Sequence, residues 1–77
     1  MKGLKRLLLR VLRAAHEPKL SQSQTARRAG LALFRYWQIE NGDGPEPSKA
    51  EQQAVATALG VKVTEIAWPE REKARAS

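Results

Sequence analysis

Apolar residues in this chain recur three and four positions apart, not on alternate positions, which predicts helices throughout. Leu4, Leu8, Val11 and Ala15 form one such stripe, with Leu7 and Leu12 widening it. Lys5, Arg6, Arg10 and Arg13 fall largely off the stripe. The pattern predicts an amphipathic first helix ending near Glu17, because Pro18 disfavours helix in the residue before it. In LSQSQTARRAG, Ser21 is a good N-cap, with Gln24 three residues later as in a capping box. Ala26 and Ala29 keep one face small, and Gly30 sits where a helix stops. A second helix is therefore expected at about 22–29 and a third at about 32–41, closed by Asn41-Gly42. GDGPEP is a loop signal. Ser48 caps a fourth helix through about Leu59, ended by Gly60. A fifth, short helix is expected from about Val63 to Trp68, stopped by Pro69. The last eight residues, EREKARAS, are charged, uncapped and expected to fray. The fold class is all-α, with one domain over 1–69 and a charged tail over 70–77. Many core-type positions are Ala, Val or Thr, so the core should be thin and stability modest.

Charge changes the picture more than composition does. Residues 1–28 hold eight basic side chains and one acid, a local charge of +7, while residues 29–77 carry −1. A one-sided basic half fits a polyanionic partner, of which nucleic acid is the commonest; simple solubility is the plainer reading. The same holds for Arg27 and Arg28 on the second helix: cations for a phosphate backbone, or a solvated face.

The candidate chemistry narrows the function by elimination. The chain has no cysteine and one histidine, His16, so neither a disulfide nor a structural metal site is expected. No catalytic triad, carboxylate dyad or phosphate-cradling loop stands out, and GDGP lacks the strand, lysine and helix that a phosphate loop needs. The expectation is a cytoplasmic, non-enzymatic protein without cofactor. The opening MKGLKRLLLRVLRAA is interrupted by Arg10 and Arg13, which makes its apolar run too short for a signal peptide. Its stripe is expected to serve the core and not a membrane surface.

Two short helices joined at Gly30 suggest a helix-turn-helix. LSQ at 20–22, Ala26, Gly30, Ile39-Glu40-Asn41-Gly42, Pro47-Ser48 and ALGV at 58–61 extend the match. From about Val11 to Trp68 the sequence resembles the lambda-repressor-like, Cro/Xre family of DNA-binding domains. The resemblance implies a small bacterial or phage transcriptional regulator, repressor-like in build, with duplex DNA as its partner. Its second helix would cross the DNA backbone and its third would lie in the major groove. Carried over by position, Gln22 would contact phosphate. Leu33, Phe34 and Gln38 would face bases, with Trp37 and Asn41 beside them toward the backbone.

The third helix departs from that family. At about 100° per residue, Tyr36 and Ile39 share the core side, with Leu31 just before the helix. Phe34, Trp37, Gln38 and Asn41 point away, and Leu33 and Arg35 lie at the flanks. Base-facing positions in the family are usually polar, whereas Leu33 and Phe34 offer only van der Waals contact, mainly to thymine methyl groups. Hydrogen bonding falls to Arg35, Gln38 and Asn41. The loop that follows carries Asp43 and Glu46 where the family is often basic. Ala15 stands where many members have an arginine that pairs with the acid at Glu40, leaving Arg10, Arg13 or water as its partner. Three readings of Phe34 and Trp37 stay open. They face DNA, they anchor a protein partner of an inhibitor or adaptor, or the tail or a second copy covers them. Trp68 reads as packing over the fourth and first helices, with a homodimer contact as the alternative.

Overall fold

The structure is a computed structural model that describes residues 6–70. Four α-helices follow in order: α1, Leu9–Ala15; α2, Gln22–Ala29; α3, Leu33–Asn41; and α4, Lys49–Leu59. A single 3-10 turn, Val63–Glu65, comes last. The expected fifth helix is therefore only this turn. Beyond it the backbone extends at Ile66, and the Trp68 side chain, not a further helical turn, closes the region by donating from Nε1 to the Val63 carbonyl at 3.2 Å.

Three of the boundaries expected from caps are found in place. Ser21 Oγ accepts from the Gln24 N–H at 3.1 Å, and Gln24 Oε1 accepts from the Ser21 N–H at 2.9 Å. Ser48 and Glu51 repeat the reciprocal arrangement at the start of α4. Each box satisfies two backbone donors that a helix start leaves without partners. At the end of α2, Gly30 adopts φ +73°, and the Leu31 N–H reaches back to the Ala26 carbonyl at 2.9 Å. This left-handed cap turns the chain sharply into α3, and it is a conformation a side chain with a Cβ resists.

The first helix departs from its expected form. Leu7 is not helical. Its N–H donates to the Glu65 carbonyl at 3.0 Å, and its own carbonyl accepts from the Ala67 N–H at 2.8 Å, an isolated parallel bridge to Ile66. That pairing needs extended backbone, and Leu8 is extended too, so the helix begins only at Leu9. The phase of the buried stripe shifts with it. Leu9 is buried and Leu12 packs against the core. Leu8 and Val11, expected inside, are each about two-fifths exposed, at 42% and 41%, and Ala15 is exposed. Leu4 lies outside the described residues.

The core draws on all four helices and on the segments beside them: Leu9, Leu20, Ala26, Tyr36, Ile39, Val55, Ala56, Leu59 and Ile66 are its buried members. Helix α2 packs most extensively against α4 and then against α3. Tyr36 and Ile39 are fully buried and Leu31 packs beside them, as the helical phase of α3 predicts. Trp68 packs on the core from the edge, half-buried. Among the described residues no helix is long and apolar enough to cross a membrane.

Candidate nucleic-acid interface

With Tyr36 and Ile39 turned inward, the opposite face of α3 is in solvent. Leu33 is 49% exposed, Phe34 67% and Trp37 39%. The Phe34 and Trp37 rings stack with centroids 5.9 Å apart and planes 11° from parallel. The capping box at Ser21 places Gln22 in the first turn of α2, where it meets this face. Gln22, Leu33, Phe34 and Trp37 border one open, largely apolar depression. The sequence-predicted Gln22, Leu33, Phe34 and Trp37 are thus brought together, across the turn that joins α2 to α3.

The expected polar readers are placed differently. Arg35 lies half-buried against α4, where its Nε and Nη2 donate to the two Glu51 carboxylate oxygens at 2.9 and 2.7 Å. Nη1 also donates to the Pro45 carbonyl at 3.1 Å. The guanidinium thereby clamps the 42–48 loop between α3 and α4. Gln38 is folded under the same loop. Its Oε1 accepts from Arg35 Nη1 at 3.4 Å, and a Cβ placed on Gly44 would come within 2.6 Å of its Nε2. Gly44 also holds φ +66°, so the loop needs glycine there on both counts. Asn41, exposed at the end of α3, donates from Nδ2 to the Trp37 carbonyl at 2.9 Å. Of the cations on α2, Arg27 is exposed, beside a smaller depression it lines with Ser23, Ala26, Leu31 and Leu33. Arg28 instead donates to the Ala58 carbonyl at 3.1 Å, and its Nη1 stands 3.4 Å from His16 Nε2. His16 Nδ1 lies 2.8 Å from the Pro18 carbonyl, so it is the donor there, and His16 serves the end of α1.

Glu40 finds its partner in Arg13, two residues before the expected position at Ala15. Arg13 Nε and Nη2 donate to the two carboxylate oxygens at 2.9 and 2.8 Å. Nη1 reaches the Leu20 carbonyl at 3.1 Å, and Gln22 Nε2 donates to the same carboxylate at 3.3 Å. One fork thus ties α1, the entry to α2 and the end of α3. The position is set by the shifted phase of α1, which turns Arg13 inward and Ala15 out. Burial alone pushes the Glu40 pKa up, but the Arg13 hydrogen bonds, with smaller help from Tyr36 and Gln22, bring it below the usual carboxylate value. The fully buried Tyr36 hydroxyl faces this pair without a well-aligned hydrogen bond. Its pKa is raised, first by burial and then by the Glu40 carboxylate.

Sequence reasoning left the partner of Glu40 open among Arg10, Arg13 and water, and passed over Glu51 as a support of this architecture. Glu51 carried a signal, since Ser48 and Glu51 stand three apart as in a capping box. The Arg13–Glu40 pair spans 27 positions, so no local spacing singles out Arg13 from the other candidates.

The Glu51 clamp makes a pH prediction. Arg35 first, and the Ser48 backbone second, lower the Glu51 pKa from 4.5 to about 2. A depressed carboxylate contributes stability above its unfolded value and loses it as pH falls through the folded one. Wild type should therefore be more stable than Arg35→Ala at pH 6. The difference should shrink between about pH 4.5 and 2 as Glu51 takes up its proton. Thermal midpoints measured across that range check it. A gap that stays constant with pH would show that the pair contributes nothing through charge.

Comparison with known proteins gives a match to the family model described as a helix-turn-helix domain, over residues 6–68. No curated protein and no solved structure matches the chain. The matched span takes in α1 to α4 and the bridge between Leu7 and Ile66, with the α2–Gly30–α3 turn at its centre. The chain belongs to the helix-turn-helix domain family.

Proposed function

We propose that this chain is a small transcriptional regulator of the lambda-repressor-like, Cro/Xre kind, bacterial or phage in type, that binds duplex DNA. Helix α3 enters the major groove and α2 crosses the backbone. The observation that carries the reading is the exposed N-terminal face of α3, Leu33, Phe34 and Trp37, set beside the start of α2 in a helix-turn-helix domain. Gln22 and Arg27 stand at the edges of that face, where phosphates flank a groove-bound helix. The charge of +7 over residues 1–28 supplies long-range attraction. The role proposed here is cytoplasmic and non-enzymatic, with no cofactor. One domain reads one half-site, so a homodimer would read two, spaced by about one helical turn.

Selection from a random duplex library at physiological salt tests the proposal. A recovered motif supports it, and no enrichment overturns it. Affinity should fall steeply with salt, because each neutralised phosphate releases counterions. Arg27→Ala should weaken binding to all sequences alike and flatten the log–log salt slope by about 1. An unchanged slope would remove Arg27 from the phosphate contacts.

A second reading has its own observation. The stacked Phe34–Trp37 pair and Leu33 have the composition of a protein anchor, and the adjoining loop carries Asp43 and Glu46. In that case the domain is a protein-binding module, and Trp37→Ala abolishes partner capture while DNA binding is weak in both forms.

A further inference from the structure

The outward side of α3 keeps few groups with which to read a base edge by hydrogen bonding. Arg35 is spent on Glu51 and the loop carbonyls. Gln38 is held under Gly44 beside Arg35. Asn41 is turned back on the Trp37 carbonyl, and Gln22 donates to Glu40. What α3 presents foremost are the Leu33 side chain and the Phe34 ring, the latter braced by its stack on Trp37. The exposed Arg27 flanks this apolar face beside Leu33, and the chain carries a net charge of +6 even with Asp43 and Glu46 of the adjoining loop counted, which favours a polyanion as its occupant over an uncharged apolar partner.

We infer that Leu33 and Phe34 recognise duplex DNA through the C5-methyl groups of thymine, so that the domain follows the methyl group and not the hydrogen-bonding pattern of the base pair. This rests on the DNA-binding reading above. The major groove displays one apolar group among its base-edge donors and acceptors, the thymine methyl, and aliphatic and aromatic side chains contact it. A 5-methylcytosine carries the same methyl at the same ring position. A reader with apolar side chains alone gains from that methyl as it gains from thymine's, although the exocyclic group beside it changes from acceptor to donor. The chain would then sense cytosine methylation at the positions Leu33 and Phe34 touch.

The test uses the duplex enriched by the library selection. Each thymine is replaced singly by deoxyuridine, which removes only the methyl. At the contacted positions, cytosine is also compared with 5-methylcytosine. One buried methyl corresponds to about a fourfold change in affinity. Wild type should lose about that factor on deoxyuridine at each contacted position and regain it from cytosine to 5-methylcytosine. Phe34→Ala should bind the thymine and deoxyuridine duplexes equally at one of those positions, and Leu33→Ala at its neighbour. Both residues are exposed, so both variants should keep the wild-type circular dichroism. If wild type binds its motif equally with and without the methyls, the inference falls while the DNA-binding reading stands. If either alanine variant keeps full methyl discrimination, the assignment of that residue falls. If no motif enriches, both the DNA-binding reading and this inference fall.

Discussion

Replacing Arg13 with alanine should lower the thermal midpoint by about 15 °C, from a loss of roughly 3 kcal/mol. The reason is what the substitution leaves behind. Glu40 keeps its carboxylate, on a side chain only 10% exposed, beside the Tyr36 hydroxyl and the Gln22 amide at 3.3 Å, neither of which carries a compensating charge. Breaking one side of such a pair costs more than the pair contributes, because the stranded charge has lost water and gained nothing. The Leu20 carbonyl loses its donor as well. Domains of this size are stable by only ~5–10 kcal/mol, so a third or more of the total is at stake. Glu40→Gln should cost less. It removes the charge that burial disfavours, and Arg13, 17% exposed at its side chain, can turn to water. Arg13→Lys should fall between, since an ammonium cannot make the two parallel hydrogen bonds. Chemical denaturation of the four proteins gives the order. If Arg13→Ala proves as stable as wild type, the fork does not hold α1 to α3.

How much of this was legible beforehand follows from the range of each interaction. The boundaries of α2, α3 and α4 rest on groups within six residues of one another: Ser21 with Gln24, Ala26 with Leu31 across Gly30, and Ser48 with Glu51. Local chemistry of that kind can be read from spacing. The inward turn of Tyr36 and Ile39 and the outward turn of Phe34 and Trp37 follow from helical phase alone. Helix α1 was misread because its phase is set from far away. Ile66 pairs with Leu7, forces extended backbone, and delays the helix until Leu9. The same distant constraint turns Arg13 toward Glu40. Arg35 was legible as a flank residue but not as a clamp. Its partners Glu51 and Pro45 lie 16 and 10 positions away, beyond a loop whose path no local pattern gives. The resulting face is more apolar than the sequence suggested, because two of its three expected hydrogen-bonding residues are drawn into the fold's own support.

Phe34→Glu should reduce duplex binding by roughly 100-fold or more while leaving the fold intact. Phe34 is 67% exposed and contributes little to the core, so its removal is not a folding defect. It stands in the first turn of α3, where a carboxylate is favoured by the helix dipole, so stability should hold or rise slightly. Binding is affected twice in the same direction. The apolar contact is lost, a penalty of ~1.5–3 kcal/mol for a side chain of this size once buried. A negative charge also enters a groove lined by phosphates, where it repels the duplex whatever its sequence. Phe34→Ala separates the two, since it loses the contact without adding charge and should retain part of the binding. Raising the salt should narrow the gap between glutamate and alanine variants and leave the gap between alanine and wild type nearly unchanged, because only the charge term is screened. Should Phe34→Glu bind the selected duplex as wild type does, α3 does not enter the groove by this face, and the stacked Phe34–Trp37 pair belongs to a protein contact instead.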